Sequence, residues 1–122
     1  MNNTLDRRFN TIVAGRRCGE VSPIAWPTLA AAVDAFVSID DVQCTSAMRA
    51  VAYPSNGDPV VVAGASGACG LAALLAILQY ERLRPVREMS GVSVRSRILV
   101  INTEGATDPE LYVQVTGRDA SK

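Results

Sequence analysis

Apolar positions follow two rhythms along this chain. Three stretches are short, mostly apolar and rich in β-branched residues: "TIVAG" at 11–15, "VVVAG" at 60–64 and "RILVIN" at 97–102. Runs of that kind, bounded by turn formers, predict buried strands, although the first could also be an extended packing segment. Elsewhere the apolar residues recur at helical spacing. "TLAAAVDAF" puts Leu29, Ala32, Val33 and Phe36 on one face, with Pro27 in the first turn. "VQCTSAMRAVAY" predicts a helix that either Asp40 or Asp41 can cap. "ACGLAALLAILQYERL", opening at Gly67, offers Leu71, Leu74, Leu75 and Leu78 as its apolar face, and Pro85 closes it. Asp108 followed by Pro109 reads as an N-cap with proline at the first helical position, so "DPELYVQV" predicts a short final helix. "AFVSI" extends the first helix or forms a short strand, and the strand is the favoured reading. "YPSNGDP" is the clearest loop, and residues 86–96 are weakly patterned.

The alternation of strands and helices predicts an α/β fold: a small parallel sheet of about three strands, flanked by helices, with right-handed crossovers. Residues 1–10 are polar and read as a flexible lead-in, leaving 11–122 as one domain. So small a sheet leaves at least one edge in want of a partner.

Composition narrows the chemistry. Twelve basic residues balance twelve acidic ones, so there is no basic excess to hold a nucleic acid backbone. No apolar run is long enough to predict a membrane span, and the polar start does not read as a signal peptide. Cys18, Cys44 and Cys69 are odd in number and widely spaced, which argues against a disulfide framework or a metal site and for reduced thiols in a cytoplasmic protein. Histidine is absent, which removes the commonest general base. The only lysine is the last residue, Lys122, a poor position for a fixed catalytic amine.

Two stretches carry candidate chemistry. "GASGACG" at 64–70 joins a predicted strand to a helix, so Gly64, Ser66 and Gly67 form a candidate anion loop at a helix start; tight helix packing accounts for the same glycines. "NTEG" at 102–105 follows a predicted strand at its carboxyl edge, where a Thr103 hydroxyl can donate to a ligand. A turn in which Asn102 and Thr103 satisfy backbone groups accounts for it too, and is the favoured reading of the local sequence. Cys18 beside Arg16 and Arg17 is a weaker candidate nucleophile, because no base or second thiol is near it in sequence. Asp40 and Asp41 suit a helix cap better than an acid/base pair, since adjacent helix positions seldom face one site.

In order and spacing, "TIVAGRRCGEVSPIAW", "MRAVAYPSNGDPVVVAGASGACGL" and "ILVINTEGATD" resemble the C-terminal part of the diaminopropionate ammonia-lyases. That resemblance implies part of a pyridoxal-phosphate domain of the tryptophan-synthase β-subunit type (fold type II). It also implies that Thr103 stands where a hydroxyl meets the cofactor's pyridine nitrogen, with Gly105 beside it. In such enzymes the lysine that holds the cofactor and the glycine loop that holds its phosphate lie upstream of the segment matched here. Ala65 replaces a glutamate of the family's "GESGA"-like motif, and Arg16 and Arg17 replace small or apolar residues. The expectation is therefore a stand-alone, truncated lyase homologue with no cofactor of its own, inactive alone and self-associating as a dimer. Two alternatives remain. One is a split lyase, completed by an N-terminal half that supplies the lysine and the phosphate loop and so allows pyridoxal phosphate to bind. The other is a small module binding an anionic ligand or a protein partner.

Overall fold

A computed structural model describes residues 11–13 and 20–121. Its elements are all helical: α1 (Trp26–Ala32), α2 (Asp41–Ala52), α3 (Cys69–Gln79), a 3₁₀ turn (Glu81–Leu83), α4 (Arg84–Ser90) and α5 (Pro109–Thr116). Helix α2 is the centre of the molecule, with α3 against one side and α5 against another.

Sequence explains why α2 takes that place. Asp40 is extended and its N–H donates to the Gln43 side chain, which satisfies one group at the helix start. Asp41, the first helical residue, accepts from the Thr11 hydroxyl and from the Ile12 N–H at 3.1 Å, and so ties residues 11–13 to the helix. Gln43, Cys44, Ala47, Met48 and Ala52 are buried, the stripe expected of one helical face. Ala68, Ala72 and Ala76 recur every four residues along the start and body of α3 and are also buried, and Ala68 and Ala72 share one core cluster with Cys44, Ala47 and Met48 of α2. Tyr112 of α5 fills the remaining side and is buried with Met48 and Cys44.

The end of α2 is fastened to the end of α5. Arg49 Nε donates to the Val115 carbonyl at 2.8 Å, and the Tyr53 hydroxyl to the Thr116 carbonyl at 2.8 Å. These carbonyls belong to the last turn of α5 and have no partner within the helix, so α2 satisfies groups that would otherwise need water. Arg118 lies 5.1 Å over the Tyr53 ring and donates to the Ala52 carbonyl, closing the same corner.

The expected parallel sheet is not formed: no β-strand occurs among the described residues. The segments at 60–64 and 97–102 take no regular secondary structure, and the Asn102 amide donates to the Val62 carbonyl at 3.0 Å. The Gly64 N–H reaches the Glu104 carbonyl at 3.2 Å, but such isolated contacts do not make the regular ladder of a parallel pair. Parallel strands depend on apolar cover over both faces, and here that cover is missing. Leu99 is 87% exposed and Ile101 68%, where strands buried on both faces were expected. The "AFVSI" segment likewise forms no strand, and of the predicted strand at 11–15 only residues 11–13 are described.

Three smaller expectations change as well. In α1 no residue is buried; Val33 and Phe36 lie beyond its end, and Phe36 stacks on Trp26 with ring centroids 6.4 Å apart. In α3 the buried face is alanine, while Leu71, Leu74 and Leu75 are half-buried and Leu78 is exposed. Pro85 does not end α3, which stops at Gln79; it sits in the first turn of α4, whose end is marked by Gly91 at φ 63°. Asp108 caps α5 as expected, its carboxylate accepting the Leu111 N–H at 3.0 Å. The lead-in at 1–10 and the Arg16, Arg17 and Cys18 cluster lie outside the described residues.

Candidate functional site

The two glycine-bearing motifs, nearly forty positions apart in sequence, form one structure. The turn at 64–68 leads into α3, its first helical bond running from the Ala68 N–H to the Gly64 carbonyl at 2.9 Å. The loop at 102–105 lies directly against it. A Cβ on Gly67 would come within 2.1 Å of Asn102 Oδ1 and 2.3 Å of the Glu104 carbonyl oxygen. One on Gly64 would meet the Gly105 carbonyl oxygen at 2.3 Å. Both glycines therefore serve close approach between backbones.

Glu104 occupies the position where an anion was expected. Its Oε1 accepts the Ser66 N–H at 3.1 Å, beside the first turn of α3, where a negative charge is favoured by the helix dipole. The chain's own carboxylate thus takes up a donor that a ligand anion would need. Sequence reading passed over Glu104, although an acid immediately after Thr103 was visible as the available signal. Asn102 behaves as a turn residue: its amide nitrogen donates to Val62, and its Oδ1 accepts the Glu104 N–H at 3.3 Å.

Thr103 differs from both neighbours. It is exposed, and its hydroxyl makes no hydrogen bond among the described residues. Gly105 is exposed too, with open space where a Cβ would be. Ser66 Oγ is buried and has no partner among the described residues. A cleft of about 60 Å³ lies among Gly64, Ala65, Glu104, Thr107, Asp108 and Leu111. It has room for a water or two, far below the several hundred Å³ of a cofactor pocket.

The residues present fit one part of pyridoxal phosphate. A free hydroxyl at Thr103, with open space at Gly105, suits an unprotonated ring nitrogen. The turn at 64–67 does not suit the phosphate, because Glu104 holds the Ser66 N–H and brings like charge. Among the described residues no group of three or more acidic, cysteine or histidine side chains is placed to hold a metal ion, and no helix is long and apolar enough to cross a membrane.

No family model matches the chain. It is 35% identical over 105 residues to the diaminopropionate ammonia-lyase of Escherichia coli K12, a match covering 86% of this chain and 26% of that protein. The lyase of Salmonella typhimurium LT2 is 33% identical over 113 residues, covering 90% of this chain and 28% of the relative. The fold agrees. The E. coli lyase solved in complex with an aminoacrylate–PLP azomethine reaction intermediate superposes with a TM-score of 0.77 at 35% identity, over 85% of this chain and 28% of that one. Its apo form gives a TM-score of 0.70 at 32% identity, over 77% and 26%. The resemblance read from the three motifs therefore extends to most of the chain in both sequence and fold, although the sheet expected with it is not formed. The chain spans about a quarter of the length of the relatives it matches.

Proposed function

We propose that this chain, similar in sequence and fold to the C-terminal part of a diaminopropionate ammonia-lyase, performs no lyase reaction alone and associates with a second copy of itself. One observation carries the first half of the proposal: the whole sequence holds no histidine and a single lysine, the terminal Lys122. Enzymes of this cofactor need a lysine fixed in the site to hold the aldehyde and to move the substrate's proton. When bound, pyridoxal phosphate supplies the electron sink that such an elimination requires. Titrating the purified chain with pyridoxal phosphate, reducing with borohydride and measuring intact mass tests this directly. No covalent adduct is expected, and a stoichiometric one would overturn it.

Self-association rests on uncovered apolar surface. Leu99 and Ile101 on one segment, Val60 and Val61 on the adjacent one, and the Trp26–Phe36 stack are all exposed. Monomers seldom leave so many large apolar side chains in water. A two-fold pairing of these faces is the simplest cover. Sedimentation at low concentration is expected to give a dimer; a stable monomer would count against it.

The free hydroxyl of Thr103 favours a second reading. If another polypeptide brings the lysine and the phosphate loop, Thr103 and Gly105 form the rim that meets the pyridine ring, and the complex converts 2,3-diaminopropionate to pyruvate and ammonia. Mixing this chain with the remaining portion of a lyase and assaying pyruvate tests it. A properly folded but inactive mixture would remove it.

A further inference from the structure

Residues 97–101, "RILVI", present a bare backbone. No N–H or C=O group of these five residues is hydrogen-bonded among the described residues. The chain is tied on both sides of them. The Ser96 N–H donates to the Ser93 carbonyl at 3.0 Å, and beyond the segment Asn102 and Glu104 are bonded to Val62 and Gly64. The side chains are as uncovered as the backbone: Ile98, Leu99 and Ile101 are exposed, while Val100 is half-buried with its Cγ1 beside Gly70 of α3. We infer that residues 97–101 pair antiparallel, edge to edge, with the same residues of a second copy, about a two-fold axis at Leu99. This rests on the self-association proposed above and names the surface and the geometry that carry it.

A row of unpaired donors and acceptors is a template for another strand, and Ile98, Val100 and Ile101 are β-branched residues that favour strand conformation once a partner is there. Charge decides the direction. Arg95 and Arg97 flank only the amino end, and no acidic residue follows them before Glu104. In a parallel, in-register pair Arg97 would face Arg97 and Arg95 would face Arg95, which is destabilising. Antiparallel pairing over all five residues instead sets Arg97 opposite Ile101, Ile98 opposite Val100 and Leu99 opposite Leu99. The two Arg97 residues then stand four positions apart along the ladder, about 13 Å, beyond the ~8 Å screening length of physiological salt. The edge is thus complementary to itself, as a two-fold interface requires. Such a pairing makes about four to six hydrogen bonds between the copies and brings Leu99, 87% exposed, against its own counterpart.

Hydrogen exchange tests the ladder, read by peptide mass at concentrations above and below the dimerisation midpoint found by sedimentation. The amides of 98–101 are expected to exchange at least about tenfold more slowly in the dimer. Ile101→Glu and Ile101→Arg test the register at an exposed position, where substitution leaves the core intact. The first sets a carboxylate opposite Arg97 of the second copy, twice per dimer; the second sets a like charge there. Ile101→Glu is expected to dimerise on the order of tenfold more tightly than Ile101→Arg, although both lose the same apolar side chain. Equal affinities would overturn the proposal. A dimer whose 98–101 amides exchange as fast as the monomer's would also overturn it, while leaving self-association to another face. A chain that stays monomeric at every concentration would remove self-association and this pairing together. Protection that appears only on adding the remaining portion of a lyase would give the edge to that partner and overturn the second copy as its occupant.

Discussion

Replacing Gly67 with alanine tests the contact on which the candidate site is built. The added Cβ would fall 2.1 Å from Asn102 Oδ1 and 2.3 Å from the Glu104 carbonyl oxygen, against an ordinary contact of 3.4–4 Å. The carbonyl is backbone and cannot rotate away, so the loop at 102–105 must retreat by about 1 Å. That retreat stretches two bonds near the limit of good geometry: Glu104 Oε1 with the Ser66 N–H at 3.1 Å, and the Glu104 carbonyl with the Gly64 N–H at 3.2 Å. Overpacking costs about 1–3 kcal/mol, and each lost bond about 1 kcal/mol. A total near 3–5 kcal/mol follows, a large share of the ~5–15 kcal/mol that holds a typical domain. Gly70→Ala is the control. Its Cβ would meet Val100 Cγ1 at 3.0 Å, a methyl that can turn aside, and the Ile101 carbonyl oxygen at an ordinary 3.9 Å, and alanine gains up to ~1 kcal/mol within a helix. Urea unfolding of both variants against the parent is the assay. An unchanged midpoint for Gly67→Ala, or a greater loss for Gly70→Ala, would refute the close-approach argument.

Other substitutions probe other contacts. Tyr53→Phe removes the 2.8 Å bond to the Thr116 carbonyl while keeping the ring under Arg118, and is expected to lower stability by about 1 kcal/mol in the same urea assay. Tyr112→Ala empties a fully buried position between α5 and α2 and is expected to cost about 3–5 kcal/mol, read as a fall in thermal midpoint. Leu99→Asp puts a charge on the exposed apolar segment and is expected to shift sedimentation from dimer to monomer without loss of helical circular dichroism. Thr103→Ala touches an exposed, unbonded hydroxyl, so stability is expected to stay within ~0.5 kcal/mol of the parent while any pyridoxal-phosphate spectral change weakens.

Local signals in this chain proved legible where short-range physics decides. The Asp40 start of α2, the Asp108–Pro109 start of α5 and the turn at Asn56 and Gly57, both at positive φ, follow from residue chemistry within a few positions. The sheet was misread because "VVVAG" and "RILVIN" carry the pattern of buried strands, and that pattern describes an environment which the segments do not have here. The face of α3 was misread for a related reason. Four leucines look like a core face, yet Cys44, Ala47 and Met48 of α2 share one buried cluster with Ala68 and Ala72, at the start of α3, instead. In the site, both motifs were visible, but their meeting was not, because the loop at 102–105 reaches the turn at 64–67 only through tertiary structure. For the same reason the wide spacing of Cys44 and Cys69 concealed that their sulfurs are neighbours.

The central claim is that the amine chemistry of a lyase does not reside in this chain. Its most direct test is a pyruvate assay on the purified polypeptide with pyridoxal phosphate and 2,3-diaminopropionate, run beside the E. coli lyase as positive control. The account predicts no pyruvate above the protein-free background, whereas sustained turnover by this chain alone would contradict it.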